Sequence, residues 1–138
     1  GGPPYSKLFT NVREKAGLAY YASSRLAPFS GLVNVQTGIQ PTDYQTALTM
    51  IQEQVNELQT GNFTGDLMRE VQDALINQHY AGFDLANNIL EHHLVNQLLS
   101  LGEQTDFANQ INRVTKNDVM KVASMIKLQA SYLLSGEK

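Results

Sequence analysis

The stretch Ser6-Lys7-Leu8-Phe9-Thr10-Asn11-Val12-Arg13-Glu14-Lys15-Ala16-Gly17-Leu18-Ala19-Tyr20 carries most of what the chain discloses about its fold. Ser6 is a helix-capping residue. Leu8, Phe9, Val12 and Ala16 follow it at the spacing of one helical face. The reading is a short helix running to about Ala16. Gly17 then stands where a chain leaving a helix takes positive φ without steric cost. Leu18 to Leu26, rich in Tyr and small residues, reads as a strand.

Working outward, Pro28, Ser30 and Gly31 mark a turn. Leu32 to Ile39 is a second strand, with Val33, Val35, Thr37 and Ile39 alternating onto one face. The two strands predict a hairpin. Pro41-Thr42 opens a helix whose apolar positions are Ala47, Leu48, Ile51, Val55 and Leu58, and Gly61 ends it. Thr64 caps the next helix, through Leu67, Val71, Leu75 and Ile76, until Gly82 breaks the pattern. Asp84 opens a third helix that ends near Gly102, and a short helix covers Asp106 to Arg113. Thr115 with Asp118 forms a capping box for a helix to about Lys127. Ser131 to Leu134 reads as a last strand.

This order predicts an α+β fold, with helices packed on one face of a small, mostly antiparallel sheet. Three strands leave at least one sheet edge open, which points to further strands or to self-association, a possible homodimer included. The chain begins Gly1-Gly2-Pro3-Pro4. The expected organisation is a single domain over residues 1–138, cut from a longer chain.

Composition removes several function classes. The 138 residues carry 10 basic and 13 acidic side chains, a net charge of −3, with the basic residues scattered. Phosphate binding needs clustered Lys and Arg, so a nucleic-acid surface is not expected. There is no cysteine, which excludes disulfides, thiolate metal sites and cysteine nucleophiles. That fits a reducing compartment: a bacterial cytoplasm first, a mitochondrial matrix second. No apolar run approaches the length of a membrane-crossing helix, and no membrane partner is expected.

The metal-ligating residues do not form a motif. The three histidines are His79, His92 and His93. Neighbours on a helix diverge by about 100°, so His92 and His93 do not share a metal. The inverted zinc motif H-x-x-E-H would need His at the position of Asn88, ahead of Glu91 and His92. One ligand is missing, and the expectation is no metal site in this chain. No nucleophile elbow, P-loop or dinucleotide fingerprint is present either.

Arg13 and Tyr20 are the remaining candidates. Taken alone, Arg13 is a cation suited to the last turn of a helix, and Tyr20 is an ordinary strand residue. Gly17 lies between them and can reverse the chain. A long Arg and a Tyr just past the turn can then bring two strong hydrogen-bond donors toward one point.

The stretch also closely resembles the C-terminal-half signature of the pitrilysin/insulinase (inverzincin, mitochondrial processing peptidase-like) zinc peptidase family. Gly1-Gly2, Ser6 to Phe9 and Arg13 to Tyr20 match that signature. Leu58 to Phe63, Val114-Thr115 with Asp118-Val119, and Tyr132 to Gly136 resemble later family motifs. The resemblance implies that Arg13 and Tyr20 are the substrate-binding pair of a zinc-dependent peptidase, stabilising the transition state of peptide hydrolysis. It implies a peptide as substrate and zinc carried by an N-terminal half or partner subunit. By that reading the chain is not catalytic in isolation. The alternative it implies is a non-catalytic structural or partner subunit of the same fold.

Overall fold

The structure, a computed structural model, describes residues 6–82, 90, 94–98 and 106–136. Those residues fall into two compact units, Gly1–Phe63 with Val119–Lys138, and Thr64–Asp118.

In the first unit the chain opens as a helix over Leu8–Lys15, wound with the wide turn of a π-helix. Ser6 begins it as expected: its Oγ accepts from the Phe9 N–H at 3.3 Å, and its carbonyl accepts from the Thr10 N–H at 2.9 Å. Gly17, at φ 62°, turns the chain into strand β1, Ala19–Ala27. A turn over residues 28–31 leads to β2, Leu32–Ile39, in an antiparallel two-stranded sheet. Leu8 and Val12 from the helix and Ala19 and Ala22 from β1 form the buried core. Val35 and Ile39 of β2 pack against it, so part of the alternation expected of β2 faces inward. Val33, near the hairpin tip, is exposed instead.

After a 3₁₀ turn at Pro41–Asp43, helix α1 runs over Tyr44–Gln59. Met50 and Ile51 close the core from its side, and Ala47 is buried. Its end is a Schellman motif. The Asn62 N–H reaches the Glu57 carbonyl at 2.7 Å and the Gly61 N–H the Leu58 carbonyl at 3.3 Å. Two polar pairs clamp the π-helix to α1. Lys7 forms an ion pair with Glu57, and the Asn11 amide donates to Oε1 of Gln54. Gln54 is buried, and its own amide donates to the Met50 carbonyl at 3.2 Å. Gln54→Leu strips Asn11 of its acceptor inside the packed layer. A buried donor left unmatched costs about 1–3 kcal/mol, so the urea midpoint falls by that equivalent while far-UV dichroism is unchanged.

The second unit holds α2, Gly65–Gly82, and α3, Phe107–Arg113, with residues 94–98 also helical. Thr64 caps α2, its Oγ1 accepting from the Leu67 N–H at 3.1 Å. Asp106 precedes α3, and its carboxylate accepts from the Asn109 side-chain amide at 2.6 Å without capping a backbone N–H. Gln72 joins the two helices, its amide donating to the Ile111 and Val114 carbonyls at 2.9 and 3.2 Å. Thr115 and Asp118 form the expected capping box. The Thr115 N–H reaches Oδ2 of Asp118 at 2.8 Å, and the Asp118 N–H reaches Oγ1 of Thr115 at 3.3 Å. They open α4, Lys116–Ala123.

Two expectations are corrected. Helix α4 ends at Ala123, not near Lys127. The Met125 and Ile126 N–H groups tighten onto Val122 and Ala123 at 3.1 and 3.0 Å. The Gln59 amide then takes the Ala123 carbonyl at 3.1 Å and the Ile126 carbonyl at 3.5 Å. Gln59 thus satisfies carbonyls that the ending helix leaves without a partner further along the chain. The strand expected at Ser131–Leu134 carries no ladder. A strand needs a backbone partner, and among the described residues β1 and β2 pair only with each other. Ser131 is held by a side-chain bond, Oγ to the Tyr44 hydroxyl at 2.7 Å, and Tyr132 and Leu134 stand in solvent. Residues 84–89, 91–93 and 99–102 of the expected third helix lie outside the described residues, while 90 and 94–98 are helical.

Candidate functional site

Arg13 lies near the end of the π-helix and is exposed. Its neighbour Val12 is fully buried, so the backbone beneath Arg13 is anchored while its side chain leaves the core. The guanidinium carbon sits over the Phe9 ring, 4.5 Å from the centroid. That lies within the range in which a cation is attracted to the face of an aromatic ring.

Tyr20 is the second residue of β1 and is 88% exposed. Its direction comes from a defect in the ladder. Ala19 pairs with Ile39 and Tyr21 with Gly38, so two residues of β1 advance against one of β2. Tyr20 is therefore the extra residue of a β-bulge, a feature that re-aims a side chain. The burial pattern confirms the shift. Ala19 and Ala22 both face the core although they are three apart, a spacing that puts residues of a regular strand on opposite faces. The displaced residues are Tyr20 and Tyr21, both turned to solvent.

Gly38 permits this arrangement. The Tyr21 ring lies across it, and a Cβ there would stand 2.6 Å from the ring's Cε1. Only a residue without a side chain lets the ring cross the partner strand so closely.

The structure thus sets Arg13 and Tyr20 on adjoining elements either side of Gly17, each with its polar end in solvent. Sequence reasoning missed the bulge and the ring under Arg13. Both left a trace: a Tyr-Tyr doublet interrupting small inward residues, and a Phe four positions before the Arg.

Among the described residues no three His, Asp or Glu side chains come together. His79 stacks on Phe107 with ring centroids 3.9 Å apart, which engages it in packing. Glu91, His92, His93 and Asn88 lie outside the described residues. Among the described residues no helix is long and apolar enough to cross a membrane.

The described residues thus form a two-stranded sheet packed against helices, with Arg13 and Tyr20 exposed beside it. The family model described as "Peptidase M16 inactive domain" matches residues 1–75, and the chain belongs to that family. Among curated proteins it is 38% identical over 138 residues to the "Probable inactive metalloprotease YmfF" of Bacillus subtilis, covering 99% of this chain and 32% of that one. It is 30% identical over 128 residues to an uncharacterized zinc protease of Streptomyces coelicolor, covering 89% of this chain and 28% of that one. The chain thus spans about a third of the length of these relatives (32% and 28%). Of solved structures, a conserved protein from Enterococcus faecalis matches with a TM-score of 0.80 at 36% identity, over 90% of this chain and 30% of that chain. A Helicobacter pylori protease shares the fold, with a TM-score of 0.69 at 16% identity over 88% of this chain and 30% of that chain.

Proposed function

We propose that this chain is the substrate-binding, transition-state-stabilising part of a zinc-dependent peptidase of the pitrilysin/insulinase type, inactive alone. Arg13 and Tyr20 hold a peptide backbone and donate to its carbonyl oxygen as negative charge develops there. The observation that carries the reading is the bulge that turns Tyr20 out of the sheet, one Gly-hinged turn away from an exposed Arg13. Tyr20 and Tyr21 both stand on the solvent side between inward Ala19 and Ala22, which the bulge allows and a regular alternation does not. Arg suits the role because its planar fork offers several donors in fixed geometry. The residues that hold zinc belong to another half of the protein or to a partner subunit. The reading places the protein in a bacterial cytoplasm, which its bacterial relatives and lack of cysteine support.

A second reading, a non-catalytic partner or structural subunit of the same fold, is favoured by the word "inactive" in the name of the Bacillus subtilis relative. The two differ in whether a peptide is bound. Purified, tag-free chain is expected to hold under about a tenth of an equivalent of zinc, since its sequence has no cysteine and no i, i+4 pair of histidines. It is also expected to leave an unstructured peptide uncut, because Arg13 and Tyr20 stabilise charge but generate no nucleophile. Adding the zinc-bearing half should bring chelator-sensitive cleavage. Stoichiometric zinc in the chain alone, or chelator-resistant cleavage that survives repurification, contradicts the proposal. Cleavage by the zinc-bearing half at one rate with and without this chain favours the second reading.

A further inference from the structure

We infer that Phe9 is the positioning residue for Arg13, a ring that holds the guanidinium by its face and leaves its edge free for a peptide carbonyl or carboxylate. The inference rests on the reading of Arg13 as a peptide-binding group. The guanidinium carbon stands 4.5 Å from the centroid of the Phe9 ring. Phe9 is half-buried and Arg13 is exposed, so the ring is the fixed partner and the cation lies on its solvent side.

The ring is anchored from below. The Phe9 N–H is held by Ser6 Oγ at 3.3 Å, and the flanking Leu8 and Val12 are 8% and 0% exposed. Lys7 and Arg69 meet carboxylates, Glu57 and Asp66, whereas Arg13 meets the Phe9 ring.

That difference has a chemical consequence. A carboxylate partner would occupy the in-plane N–H donors, which are the donors a substrate needs. An aromatic partner occupies the π face and leaves the planar fork open. The contact also narrows the rotamers of a long side chain before the ligand arrives, which lowers the ordering cost of binding. Residues four apart on a helix lie close to one face, and the spacing of Phe9 and Arg13 meets that condition.

The test graduates the ring's charge without changing its shape. In the full-length protein, Phe9 is replaced by mono-, di- and trifluorinated phenylalanine, which progressively drain negative charge from the ring face. The probe is a fluorescein-labelled, unstructured Ala/Gly peptide with a free C-terminal carboxylate, followed by anisotropy. Affinity is expected to fall stepwise along the series, toward the roughly two- to fivefold loss that an exposed cation–π contact implies. Thermal midpoints should hold constant, and Phe9→Tyr should bind as wild type. In a second measurement the Arg13 side-chain protons should show an upfield ring-current shift that Phe9→Leu abolishes. Flat affinity along the fluorinated series, with Arg13→Ala still weakening binding, overturns the inference and spares the reading of Arg13. Wild-type affinity in Arg13→Ala overturns that reading and the inference with it. The absence of a ring-current shift in the wild type overturns the inference on its own. If Phe9→Leu does not fold, the fluorinated series, which preserves the packing, still decides.

Discussion

In the complete protein assembled with its zinc-bearing half, Arg13→Ala or Tyr20→Phe is expected to lower peptide turnover roughly 10²- to 10³-fold, the loss typical of one oxyanion donor. The larger part of the effect should fall on kcat, where charge develops, with a measurable weakening of peptide binding beside it, because the same donors hold the bound peptide. Folding should be nearly unaffected. Tyr20 is 88% exposed, and Arg13 stands in solvent over a ring that stays in place without it. Surface changes of this kind usually shift stability by only about 0.5 kcal/mol. Steady-state kinetics beside a urea titration separate the two effects. Full activity in both variants returns Arg13 to a helix-end cation and Tyr20 to an ordinary strand residue.

The second large effect is expected one residue away. Val12 is fully buried among Leu8, Ala19 and Ala22, with Val35, Ile39, Met50 and Ile51 around them. Val12→Asp puts a carboxylate there with no cation to meet it. An unpaired buried charge is among the few changes that cost about 4 kcal/mol or more, a large part of a small domain's stability. The hairpin and the π-helix should lose their packing together, since Val12 joins them. Val12→Ala removes two methyl groups and should cost about 1.5 kcal/mol plus a cavity contribution, leaving a folded chain. Far-UV dichroism and denaturant titration distinguish the two, and a Val12→Asp chain as stable as wild type would remove Val12 from the core. A loss of substrate binding in Val12→Asp would therefore report unfolding and say nothing of Arg13.

How much of this was legible in the sequence follows from the range of each signal. The caps at Ser6, Thr64 and Thr115 were readable because a cap oxygen and the backbone N–H it accepts from lie within a single turn. The hairpin was readable because alternation and turn residues are also local. Arg13 and Tyr20 were nameable as a pair through the family resemblance of the stretch that holds them; their spacing around Gly17 alone left them a helix-end cation and a strand residue. What failed was set at long range. Gln54 and Gln59 look like solvated helix residues, yet one meets Asn11 and the other the carbonyl that ends α4, partners 43 and 64 positions away in the chain. Tyr132, Leu133 and Leu134 have strand propensity, but propensity does not supply a neighbouring strand. The π-winding of the first helix and the bulge at Tyr20 are one-residue shifts in register. Periodicity could not resolve them, and they set the direction of the site residues.

The central claim is that Arg13 and Tyr20 serve one peptide group together. A double-mutant cycle tests it most directly: kcat/KM for the wild type, Arg13→Ala, Tyr20→Phe and the double variant, all assembled with the zinc-bearing half. Donors acting on one transition state are not additive, so the double variant should lose markedly less than the product of the two single losses. A double variant whose loss equals that product would show two independent residues, and the pair would no longer describe this site.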